Sequence, residues 1–221
     1  MNELLLILIA YLIGSIPTAV WVSKRFFNID IRDYGSGSAG ATNVYRILGS
    51  RWGTFVMLID MLKGGLAVQL AWLLPEYIDS ENQFQNLQTV LGMAAVLGHI
   101  FPVWAEFKGG KGVATVFGMV LGISPITAVS CAGVFMLVLF LTRFVSLSSI
   151  LASIAFPIFI LVVFNVENPL YRIFAIAVAF MVVLTHQKNI GRLMRGEEAK
   201  ASILKGRDRR KQKRLDKKKA A

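Results

Sequence analysis

Three stretches of this 221-residue chain carry residue types able to hold an oxyanion or move a proton. The first is Gly35-Ser36-Gly37-Ser38-Ala39-Gly40-Ala41-Thr42-Asn43-Val44-Tyr45-Arg46, with Gly35, Gly37 and Gly40 at G-x-G-x-x-G spacing. A dinucleotide fingerprint needs a strand before it, and here a helix-length apolar segment precedes it, so that reading fails on context. The physics of the run survives: glycines let amides approach an anion, hydroxyls add donors, and Arg46 offers a bidentate phosphate contact. A small-residue turn lying against helices explains the same residues equally well.

The second stretch runs His99-Ile100-Phe101-Pro102-Val103-Trp104-Ala105-Glu106-Phe107-Lys108-Gly109-Gly110-Lys111-Gly112. It is no Walker loop, because no hydroxyl residue follows Lys111. Two lysines around paired glycines still make a flexible cationic loop suited to phosphate. Lys108 alone reads more simply as charge at a membrane face beside an interfacial Trp104. The third is divided between Thr142-Arg143-Phe144-Val145-Ser146-Leu147-Ser148-Ser149 and His186-Gln187-Lys188-Asn189-Ile190-Gly191-Arg192. His186 and Asn189 share a helical face if the last helix continues that far. Taken singly, His186 reads as an interfacial histidine and Ser146 as a helix cap. Taken together, two histidines, two Gly-rich basic loops and several hydroxyls on one side point to a site. Asp60 and Lys63, spaced i, i+3 in an apolar helix, can pair and brace the Gly-rich loop.

The elements that must position these residues are membrane helices. With 55% hydrophobic and only 17% charged residues, the chain is neither disordered nor an ordinary soluble domain. Its net charge of +11 is local: Gln187–Ala221 holds 14 Lys and Arg against four acidic residues. The rest is nearly neutral, which argues against a nucleic-acid binder with its basic face. The single cysteine, Cys131, excludes an internal disulfide and a multi-cysteine metal site. Spans are predicted over Leu4–Ser23, Trp52–Pro75, Leu87–Ala105, Phe144–Val166 and Asn168–Thr185. The uncharged run Gly112–Thr142 is too long for one ~30 Å crossing and is divided at Gly122–Pro125 by its turn residues. That makes seven. The loops at 24–51 and at Lys108 and Lys111, the turn at Arg143 and the C-terminal tail are basic. The alternate connections carry no Lys or Arg, so the N-terminus is expected outside and the C-terminus in the cytoplasm. The expected fold is thus all-α, with seven transmembrane helices over 1–198, the active site at the cytoplasmic face, and a basic, disordered cytoplasmic tail at 199–221.

The three stretches resemble the motifs of the bacterial polytopic acyl-phosphate:glycerol-3-phosphate acyltransferases over residues 1 to about 198. The family's G-S-G-N-x-G-A-T-N-V-x-R is matched at Gly35–Arg46, and its G-H-x-F-P-V-W-x-x-F-K-G-G-K-G-V-A-T at Gly98–Thr115. T-R-x-V-S-L is matched at Thr142–Leu147, H-x-x-N-I-x-R-L-x-x-G-x-E at His186–Glu198 and D-x-x-K-G at Asp60–Gly64. The departure is Ser38, where the family usually has Asn.

This resemblance implies acyl transfer from acyl phosphate to the 1-hydroxyl of sn-glycerol 3-phosphate. The products would be lysophosphatidate and phosphate, in the first step of phospholipid synthesis. It implies Ser36, Arg46, Lys111, His186 and Asn189 as catalytic residues. Gly35, Gly37, Ser38, Gly40, Thr42, Asn43, His99, Lys108, Gly109, Gly110, Gly112, Arg143 and Ser146 would bind substrate or phosphate, with Asp60 and Lys63 in support. Either His186 or a donor phosphate oxygen takes the hydroxyl proton. No metal, cofactor, nucleic acid or obligate protein partner is expected; the protein would act as a monomer in the bacterial cytoplasmic (inner) membrane.

An acyltransferase of the His-x4-Asp type would need Asp where Trp104 and Gly191 stand. The rival from another class is an anion or phosphate transporter, but its site would be expected near the midplane between repeated halves.

Overall fold

Residues 2–201 are described in a computed structural model, and every regular element among them is a helix. The basic tail expected at 199–221 lies outside the described residues from position 202 onward. The helices are α1 Glu3–Gly14, α2 Thr18–Phe27, α3 Ala41–Ile47, α4 Ser50–Gln69, α5 Glu81–Ile100, α6 Val113–Ile123, α7 Pro125–Thr142, α8 Val145–Ile158, α9 Pro169–Thr185 and α10 Gln187–Met194. Five segments are long and apolar enough to cross a bilayer: Glu3–Phe27, Ser50–Leu73, Glu81–Ala105, Pro125–Thr142 and Val145–Val163. α9 and α10 make another apolar stretch, bent by 59° between them. With 11 residues, α6 is about 16 Å long, roughly half a ~30 Å hydrocarbon core.

The division of the long uncharged run falls where expected. Ser124 leaves the helical conformation at φ −142°, its hydroxyl pairs with Thr127 at 2.8 Å, and Pro125 starts α7 where no N–H is needed. The first span differs from expectation: Leu4–Ser23 is broken at Ser15–Pro17. Pro17 brings no N–H to the ladder, and the Ile16 carbonyl at the break accepts from Lys63 Nζ at 2.9 Å. α8 also changes character, passing after Pro157 into a π-turn at Phe159–Val163. The last span does not run on through His186; it bends there. Ahead of its bend, the first turn of α9 carries Arg172, whose Nε bonds the Val166 carbonyl.

Glycines set how closely the helices approach. A Cβ on Gly118 would lie 1.8 Å from the Met61 carbonyl oxygen, and one on Gly64 2.0 Å from that of Thr115. α4 and α6 therefore meet backbone to backbone, as do α1 and α5 at Gly14 and Gly98. This contact holds short α6 in the interior, where Val116, Met119 and Val120 belong to the same buried core as Tyr171, Phe174 and Val178 of α9. The N-terminus of α6 is thereby fixed beside the ends of α5 and α9, where the polar residues collect.

Candidate active site

The loop from α2 to α3 is organised by one amide. Asn43 is 1% exposed; its Nδ2 donates to the carbonyls of Ile31, Tyr34 and Ser38 at 2.9–3.1 Å, and its Oδ1 accepts from the Ser36 N–H at 3.0 Å. Gly35 and Gly37 take φ of +62° and +73°, and a Cβ on Gly35 would sit 2.3 Å from Asn43 Oδ1. Asn43, expected to bind phosphate, instead has its amide committed to shaping the loop. That loop is tied to the next by Arg32, which grips Asp30 through two nitrogens (2.9 and 2.7 Å) and donates to the Ala105 carbonyl at 3.0 Å. The Arg32 guanidinium holds the Asp30 carboxyl well below the usual carboxylate range.

The glycines of the α5–α6 loop also act differently from expectation. The Gly109 and Gly110 N–H groups donate to the Ile100 and His99 carbonyls at 3.1 and 3.2 Å, so they are not free to cradle an anion. Glycine is needed there for close approach: a Cβ on Gly109 would be 2.0 Å from the His99 carbonyl oxygen. Below this loop lies a buried charge cluster. Lys63 Nζ meets Asp60 Oδ1 at 2.8 Å, Thr18 donates to the same oxygen at 3.3 Å, and His99 Nδ1 lies 3.2 Å from Lys63. The expected support pair thus extends to His99, one of the expected phosphate ligands, through its Nδ1.

The third stretch closes around Glu198. Its Oε1 accepts from Ser146 Oγ at 2.9 Å and Asn189 Nδ2 at 2.7 Å, and its Oε2 from Arg192 Nε at 2.7 Å. Burial alone would raise the Glu198 pKa, but these three donors outweigh it and hold the carboxylate below its ordinary range. The plainer reading of Ser146 as a helix cap does not apply, since Phe144 occupies that position and the Ser146 hydroxyl turns to Glu198.

Lys111 joins this cluster to the loop, donating from Nζ to Asn189 Oδ1. Burial lowers its pKa to about 8; Glu198 opposes the shift, while Arg192 and Arg46 add to it. Residues of all three motifs therefore act on one ammonium. His186 sits at the bend between α9 and α10, 3% exposed, with Nδ1 2.7 Å from the Val182 carbonyl oxygen. Burial lowers its pKa to about 4, with Lys111 adding to the effect, so the ring is neutral at pH 7.

The structure thus brings Lys111, Ser146 and Asn189 into direct or one-residue contact. Arg46 is exposed but near enough to act on Lys111. Ser36 and Ser38 are half-buried, and Gly40, at the start of α3, stands beside Ser38. Thr42 is exposed on α3, and Gly112 takes φ +82° to turn the chain into α6. Lys108 and Arg143 are exposed, and neither side chain makes a hydrogen bond among the described residues; the Arg143 carbonyl accepts the Ala201 N–H at 2.7 Å. Glu198, Arg192 and Arg32 were not among the expected ligands. Glu198 and Arg192 stand in the H-x-x-N-I-x-R-L-x-x-G-x-E pattern, which was their available signal. Arg32 had none. Among the described residues, no three His, Cys, Asp or Glu side chains gather as a metal-ligand set.

Comparison with known proteins bears on this arrangement. The family described as glycerol-3-phosphate acyltransferase matches residues 4–196. A glycerol-3-phosphate acyltransferase of Enterococcus faecalis is 41% identical over 214 residues, covering 92% of this chain and 94% of the relative. One of Chlorobaculum tepidum is 42% identical, covering 90% and 97%. Two crystal structures of PlsY (YgiH), an integral membrane glycerol 3-phosphate acyltransferase, share the fold at 38% identity. The glycerol 3-phosphate form has a TM-score of 0.80, with 92% of this chain and 97% of that one covered. The lysophosphatidic acid form has a TM-score of 0.75, with 90% and 94% covered.

Proposed function

The chain belongs to the glycerol-3-phosphate acyltransferase family, and from that premise we propose that it uses an acyl phosphate as donor. It is an all-helical integral membrane acyltransferase acting on glycerol 3-phosphate. The 1-hydroxyl attacks the acyl carbonyl, the C–O bond to phosphate breaks, and lysophosphatidate and inorganic phosphate leave. A transporter has no need of a proton acceptor beside a cationic cluster.

The observation carrying this reading is Lys111, which contacts Asn189 and senses Arg46, Arg192 and Glu198. Two phosphates must be held close to one carbonyl, so several cations around one centre suit the reaction. Lys111 and Arg46 stabilise the developing phosphate charge, Ser36 and Ser38 add donors from the loop, and Asn189 positions a substrate. The neutral His186 ring, with Nε2 unprotonated, accepts the hydroxyl proton. The phosphate is already a good leaving group, so no covalent enzyme intermediate is needed.

The seven-segment topology belongs to the same proposal, with α6 as a short segment inside the bundle. The N-terminus faces outward and the three site stretches lie at the cytoplasmic face. The positions of the basic residues support this, as Lys24, Arg25, Arg46, Lys108, Lys111 and Arg143 all fall on one set of connections. The acyltransferase unit is residues 1–198, followed by a basic tail. We place the protein in the bacterial cytoplasmic membrane, as a monomer.

Purified protein mixed with labelled glycerol 3-phosphate and either acyl phosphate or acyl-CoA tests the donor. Lipid-soluble label is expected with acyl phosphate alone; product from acyl-CoA alone would overturn the assignment. A His186→Ala variant with near-normal turnover would remove His186 as the base and give its proton to a phosphate oxygen of the donor.

A further inference from the structure

An ammonium has three donors and no acceptor. Lys63, 3% exposed, has three acceptors around it: Asp60 Oδ1 at 2.8 Å, the Ile16 carbonyl oxygen at 2.9 Å and His99 Nδ1 at 3.2 Å. Asp60 Oδ1 also lies 3.7 Å from that ring nitrogen, beyond hydrogen-bond reach, whereas Lys63 Nζ is within it. All three N–H groups of the ammonium are satisfied only if His99 Nδ1 offers a lone pair to Lys63, which puts the imidazole proton on Nε2.

That edge of the ring faces the cationic loop. A Cβ built on Gly110 would lie 2.2 Å from His99 Nε2, one residue before Lys111, and no hydrogen bond to this nitrogen exists among the described residues. His186 is arranged the other way. Its Nδ1 lies 2.7 Å from the Val182 carbonyl oxygen, which can only accept, so Nδ1 carries the proton and Nε2 the lone pair.

We propose that Asp60 and Lys63 are positioning residues that lock His99 as the Nε2–H tautomer, so that it donates to a substrate phosphate oxygen at the Gly109–Lys111 loop, opposite in tautomer to His186. The two histidines thus divide the work: one gives a hydrogen bond to phosphate, the other takes a proton from the hydroxyl. The phosphate role rests on the acyl-transfer reading. The tautomers do not.

The chain contains only two histidines, so 15N-histidine labelling reads both rings directly in bilayer-embedded protein. Protonated and unprotonated ring nitrogens resonate far apart. One ring protonated at Nε2 and the other at Nδ1 is the expected spectrum, with the Nδ1–H set vanishing in His186→Gln. Two rings alike, or a His99 proton on Nδ1, would overturn the lock. In Lys63→Met, Asp60 is left to accept from Nδ1, and the His99 spectrum should switch to the Nδ1–H form.

The functional arm needs no change at Lys63. His99→Gln keeps an amide donor near the Nε2 position and should raise KM less than His99→Asn does. His99→Asn places its amide near Nδ1 and should raise KM for one phosphate substrate about tenfold to a hundredfold. Whether the KM for glycerol 3-phosphate or for acyl phosphate moves identifies which phosphate is held. Equal KM values for the two variants would overturn the donor role. Opposite tautomers without acyl transfer from any donor would overturn the activity reading and the phosphate role, and leave the lock standing.

Discussion

Replacing Lys111 by Met should make the protein more stable and nearly inactive. Burial lowers the Lys111 pKa from 10.5 to about 8. At ~1.4 kcal/mol for each tenfold change in proton affinity, keeping this ammonium charged at neutral pH costs about 3.5 kcal/mol of folding stability. Met removes that cost and also removes the donor to Asn189 Oδ1. A hydrogen bond of this kind contributes roughly 1–2 kcal/mol, so the net gain is about 1.5–2.5 kcal/mol, or roughly 3–10 °C in Tm for a chain of this size. The sign follows from proton counts. Between pH 8 and 10.5 the unfolded chain binds more protons at this lysine than the folded one, so this residue's contribution to stability rises with pH through that window. The Met variant should lack that rise.

Thermal unfolding in nanodiscs from pH 7 to 10, beside turnover of labelled glycerol 3-phosphate, measures both effects. Activity should fall about a hundredfold or more, because the proposed reaction loses its preorganised cation beside the leaving phosphate. A Met variant less stable than wild type at pH 7 would refute the reasoning, since Lys111 would then be a structural ion. So would one that keeps its activity.

Other consequences are open to measurement. Glu198→Gln puts an amide donor against Arg192 Nε or against Ser146 and Asn189; the Tm should drop by several degrees and turnover should fall with it, whereas an unchanged Tm would remove Glu198 as the anchor. Asn43→Ala leaves the Ile31, Tyr34 and Ser38 carbonyls and the Ser36 N–H without their partner, so proteolysis within 34–42 should accelerate and KM should rise. Gly118→Ala forces a Cβ to within 1.8 Å of the Met61 carbonyl oxygen, so the folded yield should fall sharply, while Gly133→Ala, with open space around it, should be near neutral. The pH profile of kcat/KM should fall on the alkaline side near pH 8 as Lys111 loses its proton, and on the acid side only near pH 4, where His186 gains one.

The division of the run Gly112–Thr142 was legible because Ser124 and Pro125 act through local chemistry: a proline at a first helical position needs no neighbour elsewhere to end the previous helix. The break at Ser15–Pro17 was not. Pro17 is visible, but the Ile16 carbonyl is stabilised by Lys63, 47 positions away, and no local pattern announces that bond. Glu81 starts α5 six residues before the apolar stretch at Leu87, because the first turns at the membrane's edge need no apolar face.

Residue types and spacing determined by themselves that this is an apolar helical chain with its cations gathered near three motifs, since both composition and helical period are local properties. They named Lys111, Asn189 and His186. Only the tertiary structure decided what those residues touch. Asn43 and the N–H groups of Gly109 and Gly110 had the right chemistry for phosphate, yet their hydrogen-bonding capacity is taken up by neighbouring backbone. His99 carried the same motif-level signal as His186, but Lys63 stands at the Nδ1 of one ring and the Val182 carbonyl at the Nδ1 of the other. A hydrogen-bonding group has a fixed number of donors and acceptors, and which remain for a substrate depends on partners that the fold brings from far along the chain.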